Sequence, residues 1–225
     1  MMRLREIIKS VAPEFVKDIV RSRRALEEHE KTRPVWQRID QELLEDARLV
    51  ADVFELLDRM PKNSVVAEIG VAAGGLSKQI LRRNNPRKLY LIDPWDVSDV
   101  TEYSESSFNK LKSELRSEIE SGIVELKRGY SYNILPTFPS DSLDWIYVDG
   151  AHDYDSVKKD LEQCYAIVKS GGIIAGHDYV RWVSPTARYG VVEAVNEFAN
   201  KTRSNFVFLT NQLDKHDSFA LQIRK

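Results

Sequence analysis

Asp149 and His152 stand three residues apart, and His177-Asp178 repeats the same two side-chain types further along the chain. A carboxylate beside an imidazole can accept, hold and return a proton near neutral pH. Upstream, Glu68-x-Gly70-x-x-x-Gly74 sets a carboxylate against two glycines, and Asp93 follows. Glycines so spaced allow a tight turn and let a ligand lie against bare backbone. A dinucleotide turn, G-x-G-x-x-G, would seat a pyrophosphate on a helix N-terminus, but Glu68 would repel one. The carboxylate suits a cationic or zwitterionic ligand instead, such as an amino acid carrying a sulfonium. An acid placed as Asp93 is accepts hydrogen bonds from ribose hydroxyls.

Each feature has a plain structural counterpart. The glycines could serve only a strand-to-helix turn, Asp93 before Pro94 could cap a turn, and His152 could be a structural histidine. Asp178 could cap the loop before Tyr179. What favours a site is where these residues fall. Short β-branched runs at 65–70, 88–93, 123–129, 143–150 and 172–178 alternate with helical spacing at 75–84, 106–121 and 154–169. Such alternation predicts crossover units and a parallel sheet covered on both faces. A helix over 190–201 follows, then runs at 205–209 and 218–223 with too few residues between them for a parallel crossover. Those two runs are expected to close the sheet as an antiparallel hairpin. In open α/β sheets ligands sit outside the carboxyl ends of strands, where the glycine turn, Asp93, Asp149 with His152, and His177-Asp178 all lie.

The chain has 225 residues, 42% hydrophobic and 30% charged, with a formal net charge of −2. That composition is globular, and the balance supplies no general attraction to nucleic acid or an anionic membrane. The single cysteine, Cys164, excludes an internal disulfide, and cytoplasmic chemistry is the expectation. No secretory signal or membrane-length apolar run is read. Residues 1–61 are expected to form a helical extension or cap. Within it, Trp36, Ile39, Leu43, Ala47, Val50, Val53, Phe54 and Leu57 step by three and four, predicting one amphipathic helix between Pro34 and Pro61. Ten Lys/Arg against six Asp/Glu in residues 3–38 read as a solvated face.

Glu68-x-Gly70-x-x-x-Gly74, Asp93, Asp149 and His177-Asp178, with the closing hairpin, resemble the class I S-adenosylmethionine-dependent methyltransferases. The segment YVDGAHDYDSVKKDLEQCYAIVKSGGIIAGHDY is similar to small-molecule O-methyltransferases of the catechol and macrolide-sugar type. The resemblance implies a Rossmann-like domain over 62–225, an α/β fold with a seven-stranded sheet in the order 3-2-1-4-5-7-6. It implies S-adenosylmethionine as cofactor, with Gly70 and Gly74 at its methionine part, Glu68 nearby and Asp93 on the ribose. Trp95 would pack on the adenine, and Ser131 would contact its end. Metal-dependent members imply ligands at Asp149, His177 and Asp178 for a divalent ion such as Mg²⁺ or Mn²⁺, a requirement that the residues here permit without demanding. His152 falls where the catechol enzymes place their base, with Asp149 and His177 as its catalytic companions. The implied partner is a small-molecule methyl acceptor, with neither nucleic acid nor membrane. The N-terminal helices could cap the site or pair copies into a homo-oligomer. An NAD(P)-dependent oxidoreductase or epimerase is the competing class, disfavoured by the glycine turn and the hairpin.

Overall fold

The computed structural model describes residues 38–96, 103–180, 189–212 and 216–225. Seven segments run as strands in the expected places: β2 (Val65–Ile69), β3 (Lys88–Asp93), β4 (Val124–Arg128), β5 (Leu143–Val148), β6 (Val168–Gly176), β7 (Asn205–Thr210) and β8 (Phe219–Gln222). An unforeseen strand, β1 (Arg48–Val50), pairs parallel with β7 at one edge, giving eight strands in the order β1-β7-β8-β6-β5-β2-β3-β4. Apart from β1, this is the order the resemblance implied. β8 runs antiparallel between β6 and β7, so the hairpin closes the sheet as its short connection required.

Parallel strands buried on both faces read as continuous apolar runs, and here alternate residues feed two cores. Ala67, Ile69, Ile146 and Val148 face α6 (Tyr154–Ile167) and α7 (Val191–Thr202), while Val66, Trp145 and Tyr147 face α1 (Val53–Arg59), α2 (Gly75–Asn84) and α3 (Glu105–Glu114). The result is three layers, helices over sheet over helices. Two short helices, α4 (Arg116–Glu120) and α5 (Ser131–Ile134), flank β4. The helix expected over 106–121 is therefore split, at Leu115, whose backbone leaves helical geometry. Among the described residues no helix is long and apolar enough to cross a membrane.

The single helix expected between Pro34 and Pro61 needs correction. Its described part is a 3₁₀ turn over Gln41–Leu44, then β1, then α1. Asp52 caps α1 by accepting the Glu55 N–H at 2.8 Å. An exposed strand edge on β7 recruits Arg48–Val50 although their apolar steps suit a helix equally well; tertiary pairing decides between them. Helix α1 stops before Pro61 because a residue preceding proline favours extended backbone, the conformation Met60 adopts. The rest of the expected N-terminal helices, with Pro34 and Trp36, lies outside the described residues.

Candidate active site

At the carboxyl end of β2 the chain turns through Gly70 and reaches α2 at Gly74, both with left-handed backbone. At Gly70 a side chain is sterically excluded as well, because a Cβ would overlap the carbonyl oxygen of Asp149. The turns after β2 and β5 therefore touch through backbone alone. Asp93 anchors the next turn: its carboxylate accepts the Ala72 N–H at 3.0 Å and the Trp95 N–H at 2.7 Å. Burial raises the Asp93 pKa above its ordinary value, against the pull of those N–H donors.

A cavity of about 560 Å³, within the usual range for small-molecule sites, runs along the carboxyl ends of four neighbouring strands. Gly70, Asp93, Ser131 and Asp149 line it, each from a different strand end, and α6 contributes Lys159 and Asp160. With neighbouring strands about 4.8 Å apart, the four ends span roughly 14 Å, room for an extended nucleoside.

Three of the expected cofactor residues stand off this cavity. Gly74 caps α2 against Leu111 of α3. Trp95 is wholly buried beside Phe108 and donates its indole N–H to the Ala72 carbonyl at 2.9 Å. It shapes the turn from beneath, and Pro94 lines the cavity in its stead. Glu68 points to the α2 side of the sheet, where the Ser77 hydroxyl donates to it at 2.6 Å. Burial lifts its pKa to about 8, helped by the charges of Asp149 and Asp93 and opposed by the Ser77 bond. The carboxyl is thus largely neutral near pH 7.

The acids and histidines expected at the ends of β5 and β6 do come together, around Asp178. His152 Nε2 lies 2.7 Å from Asp178 Oδ2 and 3.7 Å from Asp149 Oδ1. That nitrogen is buried and, despite the short approach, meets no full hydrogen-bond geometry with either oxygen. His177 Nδ1 is 3.3 Å from Asp178 Oδ1 and 3.8 Å from Asp149 Oδ1. His216, from the β7–β8 connection, bonds the same Asp178 oxygen through Nδ1. Burial alone would raise the Asp178 pKa, but His152 and His177 hold it well below the usual carboxylate range. In return Asp149 and Asp178 push His152 up to about 9. His177 is raised by the same two acids against its own burial.

Among the described residues, the donors close enough together to share an ion are Asp149, His152 and Asp178, all within 4.8 Å of one another. His152 takes the place expected of His177. Asp160 and His216 were not foreseen. Tyr189 packs on His152 with ring centroids 4.7 Å apart, and the next N–H, of Gly190, donates to the His152 carbonyl at 2.8 Å. Asp160 did carry a signal, as an acid on the buried stripe Val157-Asp160-Leu161-Cys164 of α6. His216 had none; only the hairpin brings it here.

The sheet order and the site along it define a class I methyltransferase fold. A sequence model for a methyltransferase domain matches residues 67–179, half of the chain. The chain belongs to this methyltransferase family. Uncharacterized protein R132 of Acanthamoeba polyphaga mimivirus is 31% identical over 137 residues, which are 58% of this chain and 57% of that protein. The matched stretch thus spans little more than half of that relative. Among solved structures, SMU.1697c of Streptococcus mutans in complex with SAH shares 13% identity at a TM-score of 0.54, covering 76% of this chain and 95% of that one. An rRNA methylase from Streptococcus thermophilus gives 15% and 0.53, covering 77% and 95%. An O-methyltransferase family protein from Burkholderia thailandensis gives 10% and 0.53, covering 77% and 55%. At these identities the likeness is one of fold.

Proposed function

We propose that this chain transfers the methyl group of S-adenosylmethionine to a hydroxyl oxygen of a small molecule. The observation that carries the reading is one cavity joining Asp93, suited to a ribose, to Asp149, at the edge of the His152–Asp178 cluster. The near-zero net charge supports a small acceptor over a polyphosphate.

The reaction is an in-line displacement. The acceptor oxygen bonds to the methyl carbon as the carbon–sulfur bond breaks, and sulfur leaves as a neutral thioether. Holding oxygen, carbon and sulfur in line contributes on the order of 7–11 kcal/mol. The acceptor proton passes to His152 Nε2, the nitrogen free of a hydrogen bond, and then to solvent. Asp149 and Asp178 stabilise the imidazolium so formed, and Tyr189 fixes the ring plane. Because His152 titrates at about 9, its basic form grows as pH rises, and kcat/KM should climb toward that value.

The same trio, with its unpaired nitrogen, also fits a divalent cation, and an imidazole with two carboxylates suits manganese, iron or zinc better than magnesium. Such an ion would supply Lewis-acid polarisation of the acceptor hydroxyl. Calorimetry with S-adenosylmethionine and S-adenosylhomocysteine, repeated with EDTA and then with Mn²⁺ or Mg²⁺, tests both parts. Binding of both nucleosides, followed by methyl transfer to sugar or phenol hydroxyls, is expected. Absent binding, or binding of a nicotinamide dinucleotide instead, would overturn the reading. Activity that survives EDTA and rises toward pH 9 makes His152 the base, whereas activity that needs the ion makes it a ligand.

A further inference from the structure

The main chain around Asp178 is fixed on both sides. The His177 N–H donates to the Val148 carbonyl at 3.1 Å, and the Tyr179 N–H donates to the Asp217 carbonyl at 2.8 Å. Neither bond fixes the carboxylate, because rotation about a bond to a planar group is broad and nearly symmetric. Its two oxygens nevertheless have separate neighbours. Oδ2 lies 2.7 Å from His152 Nε2, whereas Oδ1 takes His216 Nδ1, with His177 Nδ1 at 3.3 Å. An ionised carboxylate only accepts, so in this contact His216 Nδ1 carries the proton.

His216 is held in its turn. Its carbonyl accepts the Gln212 side-chain N–H at 2.6 Å, and its ring meets Tyr189 edge-on with centroids 5.6 Å apart. Gln212 Oε1 accepts the Val53 N–H at 3.4 Å, and the Asn211 N–H donates to the Val50 carbonyl at 3.0 Å. The junction of β1 and α1 thereby braces the β7–β8 connection, and that connection reaches Asp178 through His216. We infer that His216 is a positioning residue: it pins Oδ1 of Asp178, so that Oδ2 stays turned toward His152 for a divalent cation held with Asp149. The inference rests on the divalent-cation reading above. Without His216, only the adjacent His177 remains on Oδ1, and the carboxylate is free to turn.

The test is titration of Mn²⁺ into the full chain, with the free ion followed by electron paramagnetic resonance, for the wild type, His216→Ala and His216→Asn. His216→Ala should bind Mn²⁺ about 10–100-fold more weakly than the wild type, the usual effect of losing a partner behind a metal ligand. His216→Asn, whose carboxamide N–H can stand near the place of Nδ1, should return to within about threefold of the wild type. Calorimetry with S-adenosylhomocysteine on the same samples reports whether each variant is folded, since none of the partners of His216 named above lines the cofactor cavity. That affinity should be unchanged. Equal Mn²⁺ affinity in the wild type and His216→Ala, or a loss that His216→Asn does not recover, would overturn the inference while leaving the cation reading intact. A parallel loss of Mn²⁺ and S-adenosylhomocysteine would make His216 merely structural and overturn it as well. A wild type that takes up no Mn²⁺ would overturn both.

Discussion

Asp178 carries more of the site than any other side chain, since three imidazoles converge on its two oxygens. Its backbone sits in the left-handed region, φ +57°, which Asp tolerates better than most residues. Replacing it with Asn removes one of the two charges that lift His152, so the rising limb of the pH–rate profile should move from about 9 down toward the ordinary imidazole value. His152→Ala should lower kcat by about 10²–10⁴-fold while leaving S-adenosylhomocysteine affinity within about threefold. Glu68 offers a test independent of activity. Its folded pKa, about 8, stands above the ordinary 4.5, so the folded state binds the extra proton and stability falls as pH rises between those values. The loss, complete above pH 8, is roughly 5 kcal/mol at most. Glu68→Gln keeps an acceptor for Ser77 and removes the titration. Denaturant unfolding at pH 5 and pH 9 should therefore differ far less in the variant than in the wild type.

At the scale of elements, the turn from β2 into α2 depends on α3. A Cβ on Gly74 would overlap Leu111 Cδ1, the end of a flexible side chain, in a backbone conformation that itself disfavours a side chain. Gly74→Ala should cost about 1–3 kcal/mol, and Leu111→Ala in the same chain should recover the steric part and leave the backbone part. Gly70→Ala has no such relief, because its obstacle is backbone, and should abolish cofactor binding. These turns were legible in the sequence because glycine at a strand end has few other uses. The parallel strands were legible because burial on both faces makes their apolar runs continuous. β1 was not: three residues with an apolar step of three suit a helix as well as an edge strand, and only the open side of β7 decides. Trp95 was misplaced for a related reason. An aromatic beside a predicted cavity looks the same in sequence whether its ring faces the ligand or supports the turn from below.

The whole molecule is nearly neutral, and this bears on its partners. Protein–polyanion binding driven by counterion release needs clustered cationic contacts and weakens steeply with salt. Methyl transfer to a small hydroxyl compound should therefore change little between 50 and 200 mM salt, and excess duplex RNA should not compete. Competition that vanishes at high salt would point to a nucleic-acid acceptor, as for the rRNA methylase that shares the fold. How the site as a whole is assembled was only partly legible. Residues at the ends of β2, β3, β5 and β6 follow from the rule that α/β sheets bind at their carboxyl edge, whereas His216 arrives through a hairpin whose packing no spacing announces. The bare contact between Gly70 and the Asp149 carbonyl ties the two halves of this edge together. With no side chain between them to yield, the turn proposed to hold the cofactor and the loop that bears Asp149 are gauged against each other. In the proposed reaction, the separation between methyl donor and acceptor would then be set in part by the main chain.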